Sequence, residues 1–454
     1  MSSKQEEDKN PSDLPRRLFV KRAAFGVGAA AALPLVAVGC GSSDDAAAAD
    51  TTSGLPSAQA WKFGVMADTQ WIATNAGDDG MNPHSCAVEI ARQIQQAFIN
   101  EGVKFVVQVG DLCDKGNHNP SSSSTSFTLK FADGTSYQSG SLLAEDTRAL
   151  FVQGLYNAGI GFFPLRGNHD ESAANAVEFQ RLYPQTQNGT HNATPNDVII
   201  LTNPDSAKQP SPTLSGKSFT LGSNFDSPST GLKGLSYSFD VNNARFVLLD
   251  QFEPTDSTNA DGAFYTPLNA NGTVGSDGST HKNQVSAPWS ATATADTTST
   301  GYNRSMKTQQ SWIDKKLAGK PSGGHVFVFS HKGLMTQNHR DVLFGPYPTE
   351  VFSPGQDAFI KSLSANKAPI LFCGHDHMHD RSLVASTDGT ASVMQVVGVS
   401  ASNKFYIPTN DASGTSRLSN DQVYCGGTRQ TELAQELNTI GYYIVTVDGS
   451  AVTV

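Results

Sequence analysis

The 454-residue sequence predicts an α/β fold, and three observations carry the prediction. Short apolar runs alternate with stretches whose apolar residues recur at helical spacing. The turns between them are short, as in chains that lay helices over a largely parallel sheet. Several of the apolar runs also end directly on Asp, Asn or His.

The first strand is predicted over 61–67, an apolar run from Trp61 to Ala67 that stops at Asp68. Residues 86–100 place Val88, Ile90, Ile94, Ala97 and Phe98 at helical spacing, and Gly102 follows as a stop. The next strand covers 105–109 and ends on Gly110-Asp111. A helix over 146–158, closed by Gly159, leads to a strand over 160–165 that ends on Arg166-Gly167-Asn168-His169-Asp170. Paired strands are expected near 237–239 and 245–249, then a helix over 307–317. Strands follow at 325–329, 370–372 and 393–399, with a last one at 442–447. The run from 241 to 399 holds more strand than helix, which predicts a second sheet. Residues 121–140 and 254–300 are rich in Ser, Thr, Asn, Gly and Asp and read as insertions, surface decoration or walls beside a substrate.

The N-terminus predicts a compartment. Arg16-Arg17-Leu18-Phe19-Val20-Lys21 precedes a weakly apolar, Ala- and Gly-rich run too short for a good membrane span. That run meets Ala37-Val38-Gly39-Cys40. The pattern resembles a twin-arginine export signal ending in a lipobox, with Cys40 as the lipid-anchor residue. An ordinary secretory signal with an incidental Cys40 is the alternative. The expected organisation is a signal over 1–40, a flexible tether over 41–60 and one domain over 61–454, with polar insertions near 118–145 and 254–300. The destination is the periplasm or cell envelope. Cys86, Cys113, Cys373 and Cys425 are too few and scattered for a disulfide scaffold, though a bridge among them stays open. A formal net charge of −10 argues against a general nucleic-acid surface, while metals can supply positive charge to a small phosphate site.

The strand ends carry the chemistry. Asp68-Thr69-Gln70, Gly110-Asp111-Leu112-Cys113-Asp114, Gly167-Asn168-His169-Asp170, His331 and Gly374-His375-Asp376-His377 each follow a predicted strand. Parallel strands bring such blocks to one edge, where α/β sheets bind ligands. Carboxylate, amide oxygen and imidazole without thiolate suit Mn, Fe or Zn better than a structural zinc site. Two such ions need a bridging carboxylate, and Asp111 is the candidate. Taken singly, an Asp at a strand end is usually a turn residue and a lone His is usually structural. The ordered set is what argues otherwise. His84, His118, His339 and His379 match no block and are expected at the surface or behind the site.

These blocks resemble the calcineurin-like metallophosphoesterases, whose pattern is DxH, GDxx(D/N), GNH(D/E), a lone His and GHxH. The resemblance implies a four-layer αββα sandwich with a dinuclear site at the carboxyl-terminal strand edges. It implies one metal on Asp68, Asp111 and His377, and another on Asp111, Asn168, His331 and His375. Gln70 stands where the pattern has His and is read as a variant ligand. Purple acid phosphatases carry Tyr where this chain has Asp114, so a ferric tyrosinate is not expected. The resemblance makes His169 the general acid and Asp114 the residue that orients it. Lys115 and Arg166 become phosphate clamps. The expected activity is hydrolysis of a phosphate ester, mono- or diester, by a metal-bridging hydroxide. Rival readings are an exported nucleotidase or nuclease of the same fold, and a non-catalytic binding lipoprotein.

Overall fold

The computed structural model describes residues 60–71, 86–114, 128–130, 136–138, 144–170, 173–192, 218–251, 304–335, 341–343, 345–346, 354–407 and 429–454. The twin arginines, Cys40, all but the last residue of the tether, His84, Lys115, His118, the 254–300 insertion, His339 and Cys425 lie outside them.

The first half of the chain runs through β1 (Trp61–Met66), α1 (Val88–Glu101), β2 (Phe105–Val109), β3 (Thr128–Lys130) and β4 (Ser136–Gln138). It continues with α2 (Ala144–Asn157), β5 (Gly161–Leu165), α3 (Ala173–Leu182), α4 (Gln185–Asn188), β6 (Thr190–His191), β7 (Phe219–Thr220) and β8 (Ser223–Asp226). The second half adds β9 (Tyr237–Val241), β10 (Ala244–Leu249), α5 (Arg304–Ala318), β11 (His325–Ser330), β12 (Asp341–Val342), β13 (Gly345–Pro346) and α6 (Pro354–Ala365). It closes with β14 (Ile370–Cys373), β15 (His379–Ala385), β16 (Ser392–Val397), β17 (Gln430–Glu436), β18 (Tyr443–Asp448) and β19 (Ala451–Thr453).

Two sheets form the centre: five strands in the order β19-β18-β1-β2-β5, and eight in the order β17-β15-β16-β14-β11-β10-β9-β8. β1, β2 and β5 are parallel neighbours in the first, and β10, β11, β14 and β16 in the second. Alternation along the strands sorts side chains into three cores. In β2, Val106 faces one core while Phe105, Val107 and Val109 face another. In β11, Phe327 and Phe329 meet that same central core, while Val326 and Val328 turn to the third. The first core takes α1, α2 and α3 residues such as Phe98, Leu155 and Phe179. The third takes Trp312, Ile313 and Phe359 from α5 and α6. The layers are therefore helix, sheet, sheet, helix, the four-layer sandwich expected. Strands buried on both faces explain the unbroken apolar runs of the sequence.

The inter-sheet core is aromatic. Phe63 stacks on Phe105 with centroids 5.5 Å apart and meets Phe246 and Phe327 edge-on at 5.0 and 4.9 Å. Such pairs add about 0.5–1.5 kcal/mol beyond area burial, and they fix how one sheet lies on the other. At one edge the sheets are also joined by main chain. Ala67, just past β1, bridges Ser400, just past β16, and Ala401 N donates to Ala67 O at 3.1 Å. This seam puts the carboxyl ends of both parallel sets side by side. No disulfide joins Cys86, Cys113 and Cys373, all of which are buried.

Candidate metal centre

The five predicted blocks lie where β1, β2, β5, β11 and β14 end. The chain must turn sharply there, and the backbone records it. Asp68, Asp111, His375 and His377 all have positive φ, at 53°, 48°, 75° and 50°. L-residues with side chains rarely adopt that region, and they hold it at sites that the surrounding structure over-determines. The flanking glycines make room. A Cβ on Gly110, itself at φ 80°, would stand 2.4 Å from His331 Nδ1. One on Gly167 would stand 2.0 Å from Asp111 Oδ1.

Donor type divides by sheet. The first sheet supplies oxygens, from Asp68, Gln70, Asp111 and Asn168. The second supplies imidazoles, from His331, His375 and His377. Among the described residues two groups of donor atoms lie within 4.8 Å of one another: Asp68, Asp111 and His377, and Asp111, His331 and His375. Asp111 belongs to both. His331 Nε2 is 2.9 Å from Asn168 Oδ1 and 3.4 Å from Asp111 Oδ1, and His377 Nε2 is 3.7 Å from Asp68 Oδ1. The opposite ring nitrogens face main-chain carbonyls, His331 Nδ1 to Val109 O at 3.0 Å and His377 Nδ1 to Lys404 O at 3.0 Å. That second contact fixes ring orientation and turns Nε2 inward, as in histidines that ligate metal. Gln70 Nε2 donates to Asp111 Oδ2 at 2.6 Å, while the buried Gln70 Oε1 has no hydrogen-bond partner. A buried amide oxygen without a donor is costly, and a cation satisfies it. Oxygen and imidazole donors with an orphaned carbonyl oxygen fit a metal centre.

Buried polar contacts hold the oxygen side. Asp170, the last residue of its block, accepts from Leu112 N at 3.0 Å and Gly167 N at 2.9 Å and so ties two blocks together. Arg148, from α2, is fully buried. Its guanidinium donates to Thr69 Oγ1 at 3.2 Å and Gln108 Oε1 at 2.5 Å, and Gln108 donates to Thr69 Oγ1 at 2.6 Å. Thr69 in turn donates to Leu112 O at 2.8 Å. Neither Asp170 nor Arg148 stands out in the sequence as a support.

Crowding sets the electrostatics. Burial pushes the Asp68 carboxyl up to about 8, and the His331 charge offsets this only in part. Burial also pushes Asp111 upward, but the His331 and His169 charges and the His331 hydrogen bond outweigh it and hold Asp111 well below the usual carboxylate range. For His331, burial acts downward and Asp111 more strongly upward, giving about 9. Two carboxylates and an imidazole so placed favour a cation between them.

His169 borders this cluster. Its main-chain N donates to Asp111 Oδ1 at 2.9 Å, and its Nδ1 meets the main-chain O of Asp114. The Asp114 carboxylate stands farther off, 3.8 Å from Nδ1, so the carbonyl is the closer orienting group. Arg166 is fully buried, with Nε donating to the equally buried Asp250 Oδ2 at 2.6 Å. Lys115 lies outside the described residues. The cation beside His169 is one the sequence left unnoticed. Lys404 Nζ is 3.3 Å from His169 Nε2 and 3.5 Å from Asp114 Oδ1. It follows β16, which with β10 is one of two parallel strands whose ends carry none of the five blocks. His379 lies in β15, its Nδ1 against Tyr443 Oη at 2.6 Å.

A metal-type donor cluster thus sits at the joined strand ends of an αββα sandwich. The sequence matches the calcineurin-like phosphoesterase family over residues 62–379, and the chain belongs to that family. A comparison with curated proteins returns no match. Among solved structures, a purple acid phosphatase from yellow lupin (Lupinus luteus) seeds is similar at 12% identity and a TM-score of 0.38. That likeness covers 86% of this chain and 50% of the lupin chain, so this chain spans about half the lupin protein's length. GAP50, the anchor in the inner membrane complex of Plasmodium, is similar at 11% identity and a TM-score of 0.37, over 87% of this chain and 82% of that one. A dimetal phosphatase from Danio rerio is similar at 13% identity and a TM-score of 0.35, over 78% and 90%.

Proposed function

We propose that this protein hydrolyses phosphate esters with two metal ions, and that Asp111 bridges them. The observation that carries the reading is the membership of Asp111 in both donor groups. One ion would be held by Asp68, Gln70, Asp111 and His377, the other by Asp111, Asn168, His331 and His375. Ions held there supply Lewis acidity toward a phosphoryl oxygen and acidify water at neutral pH. Manganese, iron and zinc suit these donors. The orphaned Oε1 favours Gln70 as a ligand and makes the DxQ block a working variant.

The residues around the donors divide the remaining work. His169 Nε2 faces away from the Asp114 carbonyl and carries the proton for the departing oxygen. The Asp114 carbonyl keeps Nδ1 engaged, which fixes the ring for that task. Arg166 braces the β5 end through Asp250. Asp111→Asn removes a full charge from both donor groups and keeps the side-chain size. The variant should fold, lose bound metal and lose turnover of a chromogenic phosphate monoester and diester. Wild-type turnover in that variant would sink the reading.

The same proposal places the enzyme outside the cytoplasm, exported through Arg16-Arg17 and tethered through Cys40. Replacing both arginines by lysine should leave the protein in the cytoplasmic fraction. Unchanged export would favour an ordinary secretory signal.

A further inference from the structure

We propose that Lys404 is the cation that receives the phosphoryl group of the substrate, an inference that rests on His169 being the proton donor. Whatever oxygen takes the proton must lie beside His169 Nε2. Lys404 Nζ is 3.3 Å from that atom, so a phosphoryl group delivered to His169 is delivered to Lys404 as well. The ammonium is held near by Asp114 Oδ1 at 3.5 Å and lies over the Tyr406 ring, 5.6 Å from its centroid. Its side chain keeps 10% of its surface exposed, unlike the sealed Arg166.

The backbone argues the same way. Lys404 O accepts from His377 Nδ1 at 3.0 Å, and Lys404 N donates to Ser402 Oγ at 3.1 Å. The main chain of this residue thus belongs to the donor cluster, and its side chain is aimed across the cluster at His169. The main chain does the orienting of His377, so a side-chain substitution leaves that contact available. Lys404 is a point charge on a flexible stem. It can move from His169 to a phosphoryl oxygen.

The test uses the full chain loaded with Mn²⁺ or Zn²⁺, with Lys404→Gln and Lys404→Met beside wild type. Three quantities are read: metal content, the inhibition constant of inorganic phosphate, and KM against kcat for a chromogenic monoester. The expected result is unchanged metal content, phosphate inhibition weakened by about tenfold or more, and KM raised more than kcat is lowered. Lys404→Arg should restore part of the phosphate affinity. Phosphate inhibition and KM within twofold of wild type in both variants would overturn the proposal. Loss of metal from both would assign Lys404 to holding His377 and would also overturn it. If loaded wild type turns over no ester, the functional reading fails by itself. Calorimetric phosphate binding to wild type and Lys404→Gln then decides Lys404 separately, equal binding or none at all counting against it.

Discussion

The two halves of the candidate metal centre are built differently. On the first sheet the donors are oxygens, and buried side chains hold them: Arg148, Gln108 and Thr69 behind the Asp68 block, Asp170 between the next two. On the second sheet the donors are imidazoles, and His331 Nδ1 and His377 Nδ1 each meet a main-chain carbonyl, with Ser400 Oγ a further 3.2 Å contact to His377. A carbonyl comes with the fold, whatever the local side chain. A side-chain network depends on each of its members. The oxygen half should therefore be the more sensitive to remote substitutions, and the imidazole half to changes in the backbone. Asp111 stands where the halves meet, and its neighbours tolerate least.

The largest effect is expected at that junction. Gly167→Ala would place a Cβ 2.0 Å from Asp111 Oδ1 and 2.3 Å from Asp111 N, a contact no rotamer relieves. The variant should lose metal and activity together while keeping its secondary structure by circular dichroism. Retained metal would mean that the block can shift, and that Asp111 is less fixed than its contacts imply.

A paired substitution sharpens the contrast between halves. Arg148→Met leaves Gln108 Oε1 without its buried donor, at a cost of about 1–3 kcal/mol in denaturant unfolding. Because Thr69 follows Asp68 directly, metal affinity should also fall, by about 10–100-fold, as when supporting partners of ligands are removed. Ser400→Ala removes a side-chain contact 3.2 Å from His377 Nδ1 but leaves the Lys404 carbonyl in place. It should change metal affinity little. Comparable losses in the two variants would erase the distinction between the halves.

Much of this was legible in the sequence because strand ends can be read. Val109 and Phe372 close apolar runs, the donors Asp111 and His375 follow shortly after, and parallel pairing brings such ends together. The layers followed because strands buried on both faces are apolar throughout. What stayed hidden depends on contacts far apart in sequence. Arg148 matches no motif in the sequence, and folding buries it against Gln108 and Thr69. The Arg166 pairing was hidden because its partner, Asp250, lies 84 positions away. Lys404 belongs to no block, and only the seam between Ala67 and Ser400 brings it to His169. Residues 379–385 and 430–436, where polar residues alternate or dominate, gave no strand signal, and they form β15 and the edge strand β17 beside it.

The smallest effect concerns protons, and it titrates the two halves apart. Asp68, on the oxygen side, is pushed up to about 8, and His331, on the imidazole side, to about 9. A raised value means the proton is still bound at neutral pH, where it competes with a cation for the same atom. Metal uptake at pH 7 should therefore release protons, measurable by calorimetry in buffers of different ionisation enthalpy. Affinity should rise with pH until both donors are free. Below about 8 each half must give up a proton, between about 8 and 9 only His331 must, and above that the dependence should flatten. Asp111 adds nothing to this rise, since it is held below the usual carboxylate range and is already charged. Substituting one donor at a time should remove one step of the curve. His331→Gln should leave a single step, moved upward, because the His331 charge that partly offsets burial at Asp68 is gone. A curve that is flat from pH 6 to 9 would show that neither donor holds a proton against the metal.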